Sequence, residues 1–200
     1  MSATTVDYFF APISPWAYLG HARFARIVAD TGATLRVKPM DLGAIFPISG
    51  GLPLGKRAPQ RQAYRLVDLK RFSDFLGVPL NLQPRHFPAP ADDAARLIVA
   101  TDMALGSAAA LDLAGRVGSA TWAQQRNIAD AAVLRELLAE AGLDGGLADR
   151  AAEPQVAERY AAYTREATEA GVFGAPSYLI GGEIFWGQDR LDFVERRLRG

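Results

Sequence analysis

The stretch "FFAPISPWAYLGHARF" (residues 9–24) decides how this chain is read. An apolar run closes at Ala11-Pro12 and Ser14-Pro15 follows. From Trp16 onward Trp16, Leu19, Ala22, Phe24, Ile27 and Val28 recur at helical spacing until Gly32 supplies a stop. Upstream, "TTVDYFF" (4–10) is short, β-branched and aromatic, which predicts a strand. Downstream, "TLRVKPMDL" (34–42) reads as a second strand, with Pro39 marking an edge or an end. A strand–helix–strand unit with parallel strands follows from this order.

Ser14-Pro15 carries two readings. Serine at the N-cap followed by proline at the first helical position is a preferred helix start. A helix N-terminus also presents unpaired N–H groups and the positive end of the dipole, and a Ser14 hydroxyl there can donate to an anion. The two uses are compatible, because an oxygen that accepts from a helix N–H keeps its own O–H free.

The sequence contains no cysteine. That excludes a disulfide framework, a Cys-X-X-Cys redox centre, thiolate metal sites and a cysteine nucleophile. Any thiol chemistry here needs a thiol that arrives with a ligand. Two isolated histidines, His21 and His86, lack the spacing of a zinc site, so no metal is expected. His86 sits in a loop from which it could reach a substrate carboxylate, whereas His21 reads as a surface or half-buried helix residue.

Half of the residues are apolar, enough for a sizeable core, and 22 basic residues balance 22 acidic ones. The balance gives no global basic footprint for nucleic acid. No window approaches the ~18 apolar residues of a membrane span, and no secretory signal pattern opens the chain, so a soluble cytoplasmic protein is expected. The segment "KRAPQRQAYRLVDLKR" (56–71), with Lys56, Arg57, Arg61, Arg65, Lys70 and Arg71, is either a solvated helix face or a local anion site.

Beyond the second strand, "FPISGGLPLGKRAP" (46–59) predicts a long loop. Helical segments follow at about 59–77, 91–106, 108–118, 130–142 and 153–170, with Asp130 a plausible cap and Gly142 a stop. "PSYLI" (176–180) and "EIFW" (183–186) flank Gly181-Gly182, a hairpin signal, and "GQDRLDFVERRL" (187–198) closes as a helix. The order βαβ, helices, ββα predicts an α/β thioredoxin-like domain interrupted by an all-helical insertion subdomain. Residues 1–45 and 171–200 form the discontinuous domain and 46–170 the insertion. In such a fold Ala175-Pro176, in "GAPSYLI" (174–180), takes the position of a cis-proline beside the helix start.

Taken together, "VDYFFAPISPWAYLG", "YRLVDLKRFSDFLGVPL" (64–80) and "GVFGAPSYLIGGEIFWGQDRLDFVERRL" (171–198) resemble the 2-hydroxychromene-2-carboxylate isomerase family, itself similar to the kappa-class glutathione transferases. The resemblance covers nearly the whole chain, and its C-terminal motif is the most specific part. It implies a glutathione-dependent cis–trans isomerase that interconverts 2-hydroxychromene-2-carboxylate and trans-o-hydroxybenzylidenepyruvate in naphthalene-type aromatic degradation. Glutathione is then a cofactor, and a homodimer is implied.

Carried over position by position, Ser14 stabilises the thiolate, and the backbone of Ala175, before Pro176, pairs with the cysteinyl unit. Gln188 and Asp189 hold the γ-glutamyl end, and Arg61 takes the glycyl carboxylate. Trp16, Phe46 and Trp186 flank the site and are candidate contacts for an aromatic substrate. One departure stands out: family members often carry Ser-Gly-Asn after the second strand, and this chain has Ser49-Gly50-Gly51. Two alternatives remain open, a kappa-like glutathione transferase or peroxidase and a non-catalytic thioredoxin-fold binding protein.

Overall fold

Strand β1 (Thr5–Phe10) organises the molecule because both of its faces are buried. Val6, Tyr8 and Phe10 point into the main core, while Phe9 points the other way, into a smaller cluster with Met40, Ile45, Ala167 and Val172. The computed structural model describes residues 4–200. Helix α1 (Pro15–Thr31) follows, capped by Ser14 and ended by Gly32 in the left-handed region at φ 62°. The chain returns as β2 (Thr34–Pro39), parallel to β1 in a register running from Thr5↔Thr34 to Phe10↔Pro39.

The loop expected over 46–59 is corrected. Helix α2 (Leu42–Ser49) occupies its first part and a short 3-10 turn, Leu54–Lys56, a later part. Asp41 starts α2 by accepting the Gly43 N–H at 2.7 Å, and Ile45 pins it into the smaller cluster. Pro47 lies inside the helix, where its missing N–H ordinarily breaks the ladder. Tertiary burial of Ile45 overrides the breaker signal in so short a helix.

Six helices come next: α3 (Pro59–Leu76), α4 (Asp92–Leu105), α5 (Ser107–Trp122), α6 (Ala131–Glu140), α7 (Leu147–Arg150) and α8 (Pro154–Glu169). Helix α5 runs four residues past its expected end at 118, since Ala120, Thr121 and Trp122 are buried. The short α7 was not legible, and only Leu147 anchors it. Asp130 caps α6 as expected, through the Ala132 N–H at 2.9 Å.

Strands β3 (Ser177–Ile180) and β4 (Glu183–Trp186) form an antiparallel hairpin across Gly181 and Gly182, both at positive φ as a tight turn requires. The sheet order is β2-β1-β3-β4. A 3-10 turn, Gln188–Arg190, leads into α9 (Leu191–Arg199). This is the thioredoxin-like arrangement, with the helices α2–α8 inserted between β2 and β3. One aromatic stack fixes α1 to the sheet: Tyr8 lies 4.5 Å from Phe10, and Phe24 of α1 lies 4.7 Å from both Tyr8 and Tyr178. No helix among the described residues is long and apolar enough to cross a membrane.

Candidate active site

Docking α1 on the sheet brings its N-terminus against the start of β3. Ser14 is 6% exposed, and its Oγ accepts the Ala17 N–H at 3.2 Å, an N-cap bond to the third helical residue. The same hydroxyl donates to the Ala175 carbonyl at 3.5 Å, at the long limit of a hydrogen bond. The oxygen is therefore committed as a cap, and the proton is held only weakly. Pro15 has no N–H, and the Trp16 N–H is among the helix-start donors without an intrahelical acceptor.

The Ala175–Pro176 peptide is cis. Ser177 behind it is fully buried and donates its hydroxyl to the Gly174 carbonyl at 2.8 Å, which holds the bend before the strand. The Gly187 N–H donates to the Pro176 carbonyl at 2.9 Å, so the turn carrying Gln188 and Asp189 is tied to the same bend. Gly174 has no room for a side chain: a Cβ there would lie 2.4 Å from the Trp186 indole nitrogen.

Gln188 is 2% exposed and wedged under α1, where a Cβ on Gly20 would meet its own Cβ at 2.6 Å. Its Nε2 is sealed from solvent and has no acceptor among the described residues. Asp189 is exposed and paired with its neighbour Arg190 at 2.7 Å. Ser14, Ala175, Pro176, Gln188 and Asp189 are thus linked through one bend and one turn.

The remaining expected residues spread outward. Trp16 meets Phe72 of α3 edge-on at 5.8 Å, Trp186 meets Phe173 at 4.8 Å, and Phe46 lies under the Arg57 guanidinium at 6.0 Å. Each of the three aromatic rings thus packs against a different neighbour. Arg61 is exposed on α3 and makes no ion pair among the described residues. The Gly51 departure has a steric explanation, since a Cβ at 51 would lie 2.3 Å from the Phe46 ring. Phe46 occupies the space that an asparagine side chain would need.

Two contacts were not legible in the sequence, although Arg65 belongs to the basic segment read as a possible anion site. Trp122, fully buried, donates its indole N–H to the Ile13 carbonyl at 3.3 Å, immediately before Ser14. Arg65 lies over this ring and over Phe87, at 5.8 and 5.4 Å. The four-residue spacing of Arg57, Arg61 and Arg65 was the available signal. His86, beside Phe87, is exposed. Among the described residues no group of three His, Asp or Glu side chains is placed to hold a metal ion.

The fold and this site define a class. The chain belongs to the DSBA-like thioredoxin domain family, whose model matches residues 5–199, and within it to the 2-hydroxychromene-2-carboxylate isomerase family. It is 31% identical to the 2-hydroxychromene-2-carboxylate isomerase of Pseudomonas putida over 194 residues, covering 95% of this chain and 92% of that one. It is 24% identical to human glutathione S-transferase kappa 1, over 97% of this chain and 90% of the relative. A solved 2-hydroxychromene-2-carboxylate isomerase superposes with a TM-score of 0.77 at 27% identity, covering 96% of this chain and 93% of the other.

Proposed function

We propose that the protein is a glutathione-dependent isomerase that interconverts 2-hydroxychromene-2-carboxylate and trans-o-hydroxybenzylidenepyruvate. The observation that carries this reading is the Ser14 hydroxyl. It caps α1 with its oxygen and keeps a weakly held proton beside cis-Pro176, in a chain that has no sulfur nucleophile of its own. The family named for this isomerase supports the reaction class, and the kappa-transferase relative supports glutathione as the thiol.

Glutathione, when bound, supplies a thiolate that adds reversibly to the conjugated carbon, permits rotation and departs unchanged. The chain's own residues hold and tune it. Ser14 turns its O–H from the Ala175 carbonyl to the sulfur, and with the α1 dipole it contributes on the order of 1–3 kcal/mol, one to two pK units. Ala175 offers its backbone N–H and C=O in strand fashion. Asp189 exchanges Arg190 for the γ-glutamyl ammonium, and the unpartnered Gln188 Nε2 gives that end a donor once the turn opens to it. Arg61, without a protein carboxylate partner, takes the glycyl carboxylate. Trp16, Phe46 and Trp186 border the aromatic substrate.

In this reading residues 1–45 and 171–200, the thioredoxin-like domain, hold the thiol, and the helical insertion 46–170 shapes the substrate pocket. We place the enzyme in the cytoplasm, in naphthalene-type aromatic degradation, as a homodimer. The outer face of α3 supports the dimer: Leu69 is its only fully buried residue, while Tyr64, Val67 and Phe75 are exposed.

The test is product analysis with purified protein. Isomer interconversion that needs glutathione and leaves its concentration unchanged supports the proposal. A stable conjugate would favour the transferase suggested by the kappa relative. Calorimetry showing no heat with glutathione at millimolar concentration would favour a binding protein for another ligand.

A further inference from the structure

Arg61 and Arg65 lie four residues apart on one face of α3, and Arg57, two residues before the helix, stands near enough for its charge to act on Arg65. None forms an ion pair among the described residues, although Arg23, Arg96, Arg116, Arg126 and Arg135 each hold an Asp or Glu. Arg57 is engaged by the Leu52 carbonyl, which its Nε reaches at 2.8 Å. Arg65 makes no side-chain hydrogen bond among the described residues, and it is the most enclosed of the three. Burial, and then the neighbouring Arg57 charge, push it down to about 10. An enclosed cation beside like charges and without a counter-ion is unfavourable as it stands, and an anion relieves it.

What lies beneath Arg65 gives the anion a shape and a location. Its guanidinium is seated over Phe87 and Trp122, whose rings are 4.8 Å apart, so the cation is held from below by two π faces. Trp122 is fixed at both ends. Its indole donates to the Ile13 carbonyl, and Asn81 Nδ2 donates to the carbonyls of Trp122 and Ala123 at 3.0 and 2.9 Å. A single side chain therefore separates Arg65 from the peptide that precedes Ser14. The guanidinium fork presents a planar, bidentate match to a carboxylate, with the half-buried Phe87 ring as the accessible apolar surface next to it and the fully buried Trp122 supporting the cation from beneath.

We propose that Arg65 binds the carboxylate of a planar aromatic acid, with Phe87 and Trp122 as its rigid floor, and so selects acids over neutral analogues at the Ser14 end of the molecule. As a reading of substrate specificity this rests on the isomerase assignment; as a binding site it does not. It replaces His86, which is exposed on the same loop, as the residue that meets the substrate's charge.

Equilibrium calorimetry without thiol tests the site, using trans-2-hydroxycinnamate and its primary amide as probes. The wild-type protein binds the acid about tenfold or more tighter than the amide, as a charge-assisted pair requires. Arg65→Gln brings that ratio close to one, Arg65→Lys leaves it intermediate, and Arg135→Gln, on the exposed face of α6, leaves it unchanged. The proposal is overturned if the wild-type protein does not prefer the acid, or if Arg65→Gln keeps the preference. Loss of acid and amide binding together in Arg65→Lys also overturns it, because Arg65 is then only a prop for Trp122. Acid preference that depends on Arg65 in a protein without glutathione-stimulated turnover would remove the isomerase reading and leave this site standing.

Discussion

Ser14 caps α1, and in the proposed reaction the same hydroxyl stabilises the thiolate, so the two roles separate by substitution. Ser14→Ala removes the cap, which costs about 1 kcal/mol, and lowers Tm by about 2–4 °C for a chain of this size. On the proposed mechanism it also removes the thiolate donor, so the acidic limb of the kcat/KM–pH profile with glutathione should move up by about one unit. Ser14→Asp restores the cap, and with it the melting temperature, but not turnover, since a carboxylate repels the thiolate. An unchanged pH profile in Ser14→Ala would remove Ser14 from the reaction.

His21 is a second residue-scale case, a half-buried residue of α1. Its imidazole is packed between α1 and α5, so that a Cβ on Gly115 would lie 2.5 Å from its Nε2. Burial, only partly opposed by the Asp112 charge, lowers its pKa to about 4. The folded state then resists a proton that the unfolded chain accepts at its ordinary value near 6.5. Stability is full above that value and falls as pH drops toward 4, by about 2–3 kcal/mol. Urea titrations at neutral pH and at the acid end of that window should show this slope for the wild type and a flatter one for His21→Gln.

At the scale of elements, the βαβ start and the C-terminal hairpin were legible because their signals are local. Alternating β-branched and aromatic residues, a Ser-Pro cap and two adjacent glycines each specify backbone geometry without distant partners. Helix α2 was not legible, since Pro47 and the glycines after it read as breakers and only the burial of Ile45 overrides them. The seating of the Gln188 turn against α1 is likewise a contact between elements, made through Gly20. Gly20→Ala forces a methyl onto Gln188 Cβ and should cost about 1–3 kcal/mol. It should also weaken glutathione binding severalfold by displacing Asp189. Calorimetry and denaturant unfolding of one variant read both effects, and unchanged affinity would detach the turn from the thiol site.

Across the whole molecule, one buried cation joins three elements. Lys38 of β2 is 6% exposed and pairs with Asp7 of β1 at 3.0 Å and Glu166 of α8 at 2.7 Å, with its Nζ 5.1 Å from the Phe9 ring centroid. Lys38→Met leaves the Asp7 carboxylate in a largely buried place with only Arg36, at 3.6 Å, to face it. Denaturant unfolding should show a loss of about 2–4 kcal/mol, and Asp7→Asn in the same chain should recover part of it. A loss under 1 kcal/mol would mean that hydration, not Lys38, balances Asp7.

The sequence by itself determined the βαβ start, the C-terminal hairpin and helix, and the absence of any cysteine chemistry, because each of these rests on residue type and short spacing, whereas the residues that could meet a borrowed thiol followed from the family resemblance. Only the tertiary structure decided which of them stand together. It joined Ser14 to Ala175 across 161 positions, buried Gln188 beneath Gly20, filled the space beside Gly51 with Phe46, and set Arg65 over a tryptophan bonded to Ile13. Those juxtapositions arise from packing between surfaces far apart in the chain, and periodicity along the chain carries no record of them.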